Sequence, residues 1–279
     1  MTRRVAQILF CPQAGGFSHR RLSALTDRLR SSNREVRLTP CGPERQTALA
    51  SDADDFVMMG GDGTIRHVLH MALKQRRSRD FLLHPSGTIN LLARELQENQ
   101  SHNADKQSCF FARVDEAPLI SCASISPDSM AVARNSAWLK HLVGRISYVV
   151  AFLAVLLRWE RPHLQLRWLG GTLVCEAAYI IKSRYYAGPW SLAPDARVSL
   201  PELHIIALRR CRRRDYLRFI IDILLGATSR IDTNIVRFRC NELKIESCTP
   251  YPAQVDGDAT ASTPAEICID PEPMFITLL

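Results

Sequence analysis

The chain has 279 residues, 46% of them hydrophobic, enough for one large domain or two ordinary ones with real cores, and this excludes overall disorder. A formal charge of +8 calls for anionic partners, and nucleotide, anionic lipid headgroups and nucleic acid all answer to it. Nine scattered cysteines form no Cys-x-x-Cys pair and no His/Cys zinc spacing, which fits reduced thiols in a cytosolic protein.

Met-Thr-Arg-Arg leads directly into Val5–Phe10, too short a run for a signal peptide and without a small-residue cleavage site. That run reads as the first strand. It ends in Cys11-Pro12-Gln13-Ala14-Gly15-Gly16, after which Ser18 caps a helix whose apolar face is Leu22, Leu25 and Leu29. Arg34–Leu38 reads as a second strand with Thr39 at its end, and Gln46–Ala53 as a helix. Phe56-Val-Met-Met is a buried strand stopped by Gly60-Gly61-Asp62-Gly63-Thr64. Behind it Ile65, Val68, Leu69, Ala72 and Leu73 recur at helical spacing from about Thr64. A strand, a glycine turn and a helix N-terminus together present N–H groups and a positive dipole end, an arrangement that favours phosphate. A carboxylate there repels phosphate unless a cation or a sugar hydroxyl intervenes, so Asp62 acts through Mg²⁺ or on the nucleotide; the plain alternative is a helix cap. Phe81–His84, Pro85-Ser86-Gly87-Thr88-Ile89-Asn90 and Leu91–Leu96 repeat the strand, turn and helix. Two such units place Thr64, Thr88 and Asn90 on one rim of a parallel, doubly wound sheet.

Polar, aperiodic Glu98–Gln107 marks a boundary, giving domains 1–106 and 107–279. After it the reading is of strands at Phe110–Val114, Leu119–Ser124, Leu164–Trp168, Leu173–Ile181, Leu203–Leu208, Val236–Arg239 and Leu243–Glu246. Apolar helices at about Ile146–Trp159 and Tyr216–Leu225 interrupt a mostly antiparallel domain. The apolar core of the first, Tyr148–Leu157, is shorter than the roughly 20 residues of a membrane span. Arg209–Arg214 carries five arginines in six residues beside an apolar helix, either a solvated face or a patch for anionic membrane. Gln254-Val255-Asp256-Gly257-Asp258 contains Asp-Gly, the commonest hairpin signal.

Gly-Gly-Asp-Gly-Thr followed by a Pro-x-Gly-Thr-x-Asn turn resembles the diacylglycerol kinase and sphingosine kinase family, including its short bacterial members. The resemblance implies an α/β nucleotide domain followed by a β-sandwich whose last strand returns to the first domain. It implies ATP and Mg²⁺, with Thr39, Gly60, Gly61, Asp62, Gly63, Thr64, Gly87, Thr88 and Asn90 at the nucleotide and Asp62 toward the metal. Asp256 and Asp258 match the family's Asp-Gly-Glu acids that deprotonate the lipid hydroxyl, with Asp256 expected as the base and Asp258 as its partner. If both lie in one extended segment, their side chains share a face. The implied activity is ATP-dependent phosphorylation of diacylglycerol or a related lipid, in a cleft between the domains and at a membrane surface reached from the cytoplasm. Nucleic acid is not an expected partner.

The chain departs from the family pattern at several places. Cys11 replaces an asparagine, Arg66-His67 stand for Asn-Glu, Leu91 for Asp, and Leu200-Pro201 for an Asp-Gly that helps hold a structural Mg²⁺. Tyr186–Ala196 resembles the family's glycine-containing sandwich segment, with Gly188 and Pro189 read as a structural turn. An NAD kinase shares Gly-Gly-Asp-Gly-Thr and the two-domain plan but normally lacks the second turn. A catalytically silent nucleotide- or lipid-binding protein is the third reading.

Overall fold

The computed structural model describes residues 3–42, 45, 47–75, 80–99, 106–134, 159, 161–186, 188, 190–227 and 232–279. The expected helix at Ile146–Trp159 lies outside the described residues except for Trp159. The chain divides into two compact units, Met1–Phe110 with Glu272–Leu279, and Phe111–Pro271.

The first unit is built on a sheet of order β2-β1-β3-β4-β18-β5. Its members are β1 (Arg4–Phe10), β2 (Arg34–Pro40), β3 (Asp55–Gly60), β4 (Asp80–Pro85), β5 (Lys106–Cys109) and β18 (Met274–Leu278). All neighbours pair in parallel except β5 with β18. The helices are α1 (His19–Ser31), α2 (Asp62–Gln75) and α3 (Leu91–Glu98). Strands buried on both faces read as unbroken apolar runs, as Val57, Met58 and Met59 do, all at most 1% exposed. Leu22, Leu25 and Leu29 of α1 pack on Ala6, Ile8, Phe10, Val57 and Met59. The chain runs to opposite sides of β1 when it forms β2 and β3, so the sheet's switch point lies at the carboxyl ends of β1 and β3.

Residues 47–53 are not helical, contrary to the sequence expectation. Long amide side chains hold them irregular: Ala50 N–H donates to Gln7 Oε1, Gln7 Nε2 to the Ala48 carbonyl, and Leu49 N–H to Gln75 Oε1. Those bonds replace the ones a helix would have made.

The second unit is a sandwich of two antiparallel sheets, β10-β9-β14-β17-β6-β7 and β13-β12-β11-β8-β15-β16. The first comprises β6 (Ala112–Val114), β7 (Ala117–Leu119), β9 (Leu164–Trp168), β10 (Gly171–Cys175), β14 (Glu242–Ser247) and β17 (Ala265–Ile269). The second comprises β8 (Cys122–Ile125), β11 (Ala177–Ile181), β12 (Leu203–Leu208), β13 (Ile235–Cys240), β15 (Pro252–Val255) and β16 (Asp258–Ser262). Strand alternation splits β11 between two cores. Ala178 and Ile180 face the sandwich interior, while Ala177, Tyr179 and Ile181 join α5 (Arg213–Leu224) on the outer face. A short helix, α4 (Pro127–Arg134), follows β8. Two runs read as single strands are each two. Leu173–Ile181 divides at Glu176, whose N–H bonds the Leu208 carbonyl as the chain changes sheets. Leu119–Ser124 divides at Ile120 and Ser121, whose N–H groups are taken by a side chain described below.

Candidate functional site

Three glycine turns meet at the carboxyl ends of β1, β3 and β4. A β-carbon on Gly16 would stand 1.8 Å from the Ser86 carbonyl oxygen, and one on Gly87 2.4 Å from the Gly61 Cα. One on Gly60 would strike the Thr64 side chain at 2.4 Å. Ser86 N–H bonds the Gly60 carbonyl at 2.9 Å, tying the second turn to the third. Backbone packed this closely leaves no room for side chains, so the rim presents peptide groups to whatever approaches. Gly63 has open space around it, and its N–H and that of Thr64 precede the first α2 bond, from Ile65 to Gly61.

Asn90 and Asp62 divide one capping task. Asn90 sits at φ +54° before α3, yet its side chain turns back, accepting from Gly87 N–H at 2.9 Å and donating to the Gly87 carbonyl at 2.8 Å. The first N–H groups of α3 are taken instead by Asp62, from Leu91 at 3.1 Å and Leu92 at 3.3 Å. Asp62 thus bridges the two motifs seen in the sequence. Burial raises its carboxyl above the usual carboxylate range, and the N–H bonds of Leu91 and Leu92 oppose that rise. Each carboxylate oxygen keeps acceptor capacity beyond one such bond. That fits an Mg²⁺ carried chiefly by nucleotide phosphates and needing one protein carboxylate. Among the described residues no group of three His, Cys, Asp or Glu could hold a metal alone.

Thr64 is buried beneath Gly60, and Thr88 is exposed at the tip of its turn. Thr39, at the end of β2, accepts from Gln7 Nε2 at 3.0 Å. Of the departures, Leu91 supplies only backbone to Asp62. Cys11 closes its turn through its carbonyl, which accepts from Ala14 N–H. His67 Nε2 is buried with no hydrogen-bond partner among the described residues, and burial lowers the imidazole below its usual value.

In the second unit Asp256 and Gly257 form a two-residue turn, φ +50° and +86°, between β15 and β16, where Val255 pairs with Asp258. The two acids are therefore not in one extended segment. The Asp256 carboxylate is bound by three backbone donors: Ile120 and Ser121 N–H at 2.8 Å and Cys122 N–H at 3.0 Å. Those bonds separate β7 from β8. They occupy three of the four lone-pair sites of a carboxylate. Asp258 opens β16 half-buried, just beyond the turn.

Sequence reasoning missed the residues behind this hairpin. Gln254 Oε1 accepts from Gly257 N–H at 2.7 Å, and its Nε2 donates to Ser124 Oγ at 3.2 Å. Ser124 Oγ donates to Asp128 Oδ2 at 3.1 Å. Asp128, in the first turn of α4, also accepts from Ser126, Tyr179, Tyr186 and Tyr216. Burial, then the Asp128 charge, raises all three phenols well above the usual tyrosine value, so they stay protonated donors. Gln254 opened a recognised motif without being assigned a role, but the tyrosines come from separate segments and carried no local signal. A second such group is Lys182, fully buried, whose Nζ donates to the carbonyls of Arg197 at 3.0 Å, Val198 at 3.2 Å and Leu200 at 2.8 Å. Its Nζ thereby ties together three carbonyls of the loop containing Leu200-Pro201.

Two family models account for nearly the whole chain. The diacylglycerol kinase catalytic domain matches residues 6–121, and the YegS C-terminal NAD kinase beta sandwich-like domain matches residues 124–278. The "Probable lipid kinase YegS-like" protein of Alcanivorax borkumensis is 25% identical, covering 96% of this chain and 94% of its own. Two crystal structures of Bacillus anthracis proteins described as diacylglycerol kinases share the fold. One has a TM-score of 0.75 at 15% identity, covering 99% of this chain and 98% of that one. The other has 0.69 at 14%, covering 99% and 97%. This chain belongs to the YegS-like lipid kinases, the family in which a diacylglycerol kinase catalytic domain is joined to a YegS-type β-sandwich.

Proposed function

We propose that the protein transfers the γ-phosphoryl group of ATP to a hydroxyl of diacylglycerol or a related amphiphile. The observation that carries this reading is the rim where Gly16, Gly61 and Gly87 pack without room for a β-carbon, beside the α2 N-terminus. Phosphoryl transfer demands little covalent work of a protein beyond holding the phosphates, neutralising charge and orienting the attacking hydroxyl. The Gly63 and Thr64 N–H groups receive phosphate oxygens, and Asp62 faces the nucleotide and its ion. Mg²⁺, when bound with ATP, neutralises charge that develops on the phosphates. A bond forms between the lipid oxygen and the γ-phosphorus as the bond to ADP breaks, and the hydroxyl proton passes to a carboxylate.

We assign that carboxylate to Asp258. Asp256 fits the part of anchor, because three N–H groups hold its oxygens. Gln254 steadies the turn through the Gly257 N–H. The deciding experiment incubates purified protein with labelled ATP, Mg²⁺ and a total lipid extract, with NAD⁺ as acceptor in a parallel tube. A labelled lipid is the expected product. Label in NAD⁺ alone makes the protein an NAD kinase, and label in neither makes it a binding protein.

A further inference from the structure

Helix α5 begins inside the arginine run and has two apolar faces. Tyr216, Phe219 and Ile223 are buried against β11 and β12. Leu217, Ile221, Leu224 and Leu225 follow at i, i+4, i+7 and i+8, so they share a second face. They are 49%, 46%, 52% and 76% exposed. A surface helix of a globular domain normally turns polar residues outward. Here the outward stripe is aliphatic, with Arg213 and Arg218 along its margins and Arg214 within it; Asp215 and Asp222 lie outside the stripe by the same spacing, and Arg214 Nε pairs with Asp215 at 3.6 Å.

The chemistry continues at the helix N-terminus. Arg209, Arg210, Arg212, Arg213, Arg214 and Arg218 place six arginines in ten residues. A cavity of about 500 Å³ there is lined by Trp159, Arg161, Cys211, Arg212, Arg213 and Arg214. The run's backbone is fixed: Arg209 N–H bonds the Asn234 carbonyl, Arg210 N–H bonds Asn234 Oδ1, and Cys211 N–H bonds Glu176 Oε2. The guanidinium groups are therefore displayed from an ordered platform.

We propose that the outward face of α5 docks the protein on an anionic lipid bilayer. The four aliphatic residues enter the interfacial region, and the arginines meet lipid phosphates. The inference rests on the lipid-kinase reading for its purpose, though not for its evidence. Charge selects the occupant. A second copy of this face would oppose arginines with arginines, and a nucleic acid offers nothing to four exposed aliphatic side chains. An anionic bilayer answers both demands, as basic amphipathic helices do when they lie in the interface plane. At 12 residues α5 spans about 18 Å, too short to cross a hydrocarbon core of about 30 Å. Among the described residues no helix is long and apolar enough to cross a membrane.

The test is sedimentation with vesicles of phosphatidylcholine alone and of phosphatidylcholine mixed with phosphatidylglycerol, at low and high salt. Wild type is expected to prefer the anionic vesicles and to weaken with salt. The variant R212Q/R214Q/R218Q should lose on the order of a hundredfold in affinity for anionic vesicles at low salt, at about fivefold per charge. L217S/I221S/L224S should lose at least as much for both compositions. Both variants should phosphorylate detergent-dispersed lipid as wild type does. Ile221→Trp provides a readout independent of the triple variants, since its emission should shift to the blue only with vesicles. Vesicle binding equal to wild type in both triple variants, or no blue shift, overturns the proposal. So does a wild type that ignores vesicles but self-associates through Leu217 and Ile221. A wild type that docks as described and phosphorylates no lipid supports the docking face and overturns the kinase reading instead.

Discussion

Each unit holds a motif aspartate, and the two are used alike up to a point. Asp62 ends a glycine turn and accepts two N–H groups from the start of α3. Asp256 follows β15 in its turn and accepts three from the β7–β8 junction. Both carboxylates stitch together segments distant in sequence. They differ in what remains available. Asp62 stands beside a rim of bare peptide groups that suits phosphate, and its burial disfavours the charged form unless a cation or N–H donors compensate. Asp256 is bound into its turn by those three donors, and Asp258 opens the strand just beyond it. Under the proposed assignment the second acid of the motif, not the first, takes the proton.

The largest expected effect falls on Asp258. Asp258→Asn should lower turnover by roughly 10² to 10⁴, with nucleotide affinity unchanged and a smaller loss of stability than Asp256→Asn. Asp256→Asn should lower activity together with stability, by about 3 kcal/mol, because an amide donor meets backbone donors where a charged acceptor stood. Urea melts of both variants beside their rates at saturating ATP test the division. A stable, inactive Asp256→Asn with a near-normal Asp258→Asn would return the base to Asp256.

Asp62→Asn should show an intermediate pattern, with activity lost and stability reduced by about 1–3 kcal/mol, since its amide cannot satisfy both Leu91 and Leu92. Because its carboxyl is raised by burial, activity should fall on the acid side at a higher pH than an ordinary carboxylate would dictate. A pH profile with no such limb would make Asp62 a cap alone.

The glycines sharpen the comparison further. Gly87→Ala places a methyl 2.4 Å from the Gly61 Cα and should destabilise the first unit by about 1–3 kcal/mol. Gly63→Ala meets nothing within 4 Å, so it should fold as wild type and weaken ATP binding only, as titration calorimetry would detect. Unchanged ATP affinity would remove Gly63 from the phosphate site.

The smallest effect concerns His67 and His84, both lowered by burial and both with a ring nitrogen that has no partner among the described residues. A depressed folded value favours the neutral ring, so their contribution is whole above the ordinary value of 6.5 and drains as pH falls below it. The Tm should drop on that side, and H67Q/H84Q should flatten the drop.

Local patterns carried much of this molecule. Apolar runs broken by glycine determined β3, α2, β4 and α3, because burial on both faces and a tight turn each leave an unmistakable local mark. The same patterns, with the family resemblance, located the glycine turns of the rim and the Asp256–Gly257 turn. Tertiary structure decided the rest. It divided Leu119–Ser124 in two, because Asp256 arrives from more than 130 residues away to take the N–H groups at the break. It kept 47–53 out of a helix, because Gln7 and Gln75 supply its hydrogen bonds. It assembled Asp128 with three tyrosines from separate segments, and it turned the second apolar face of α5 outward. Periodicity records that a side chain is apolar or that a turn is tight. Which distant donor meets a carboxylate, and which of two apolar faces is covered, depends on contacts that no local stretch encodes.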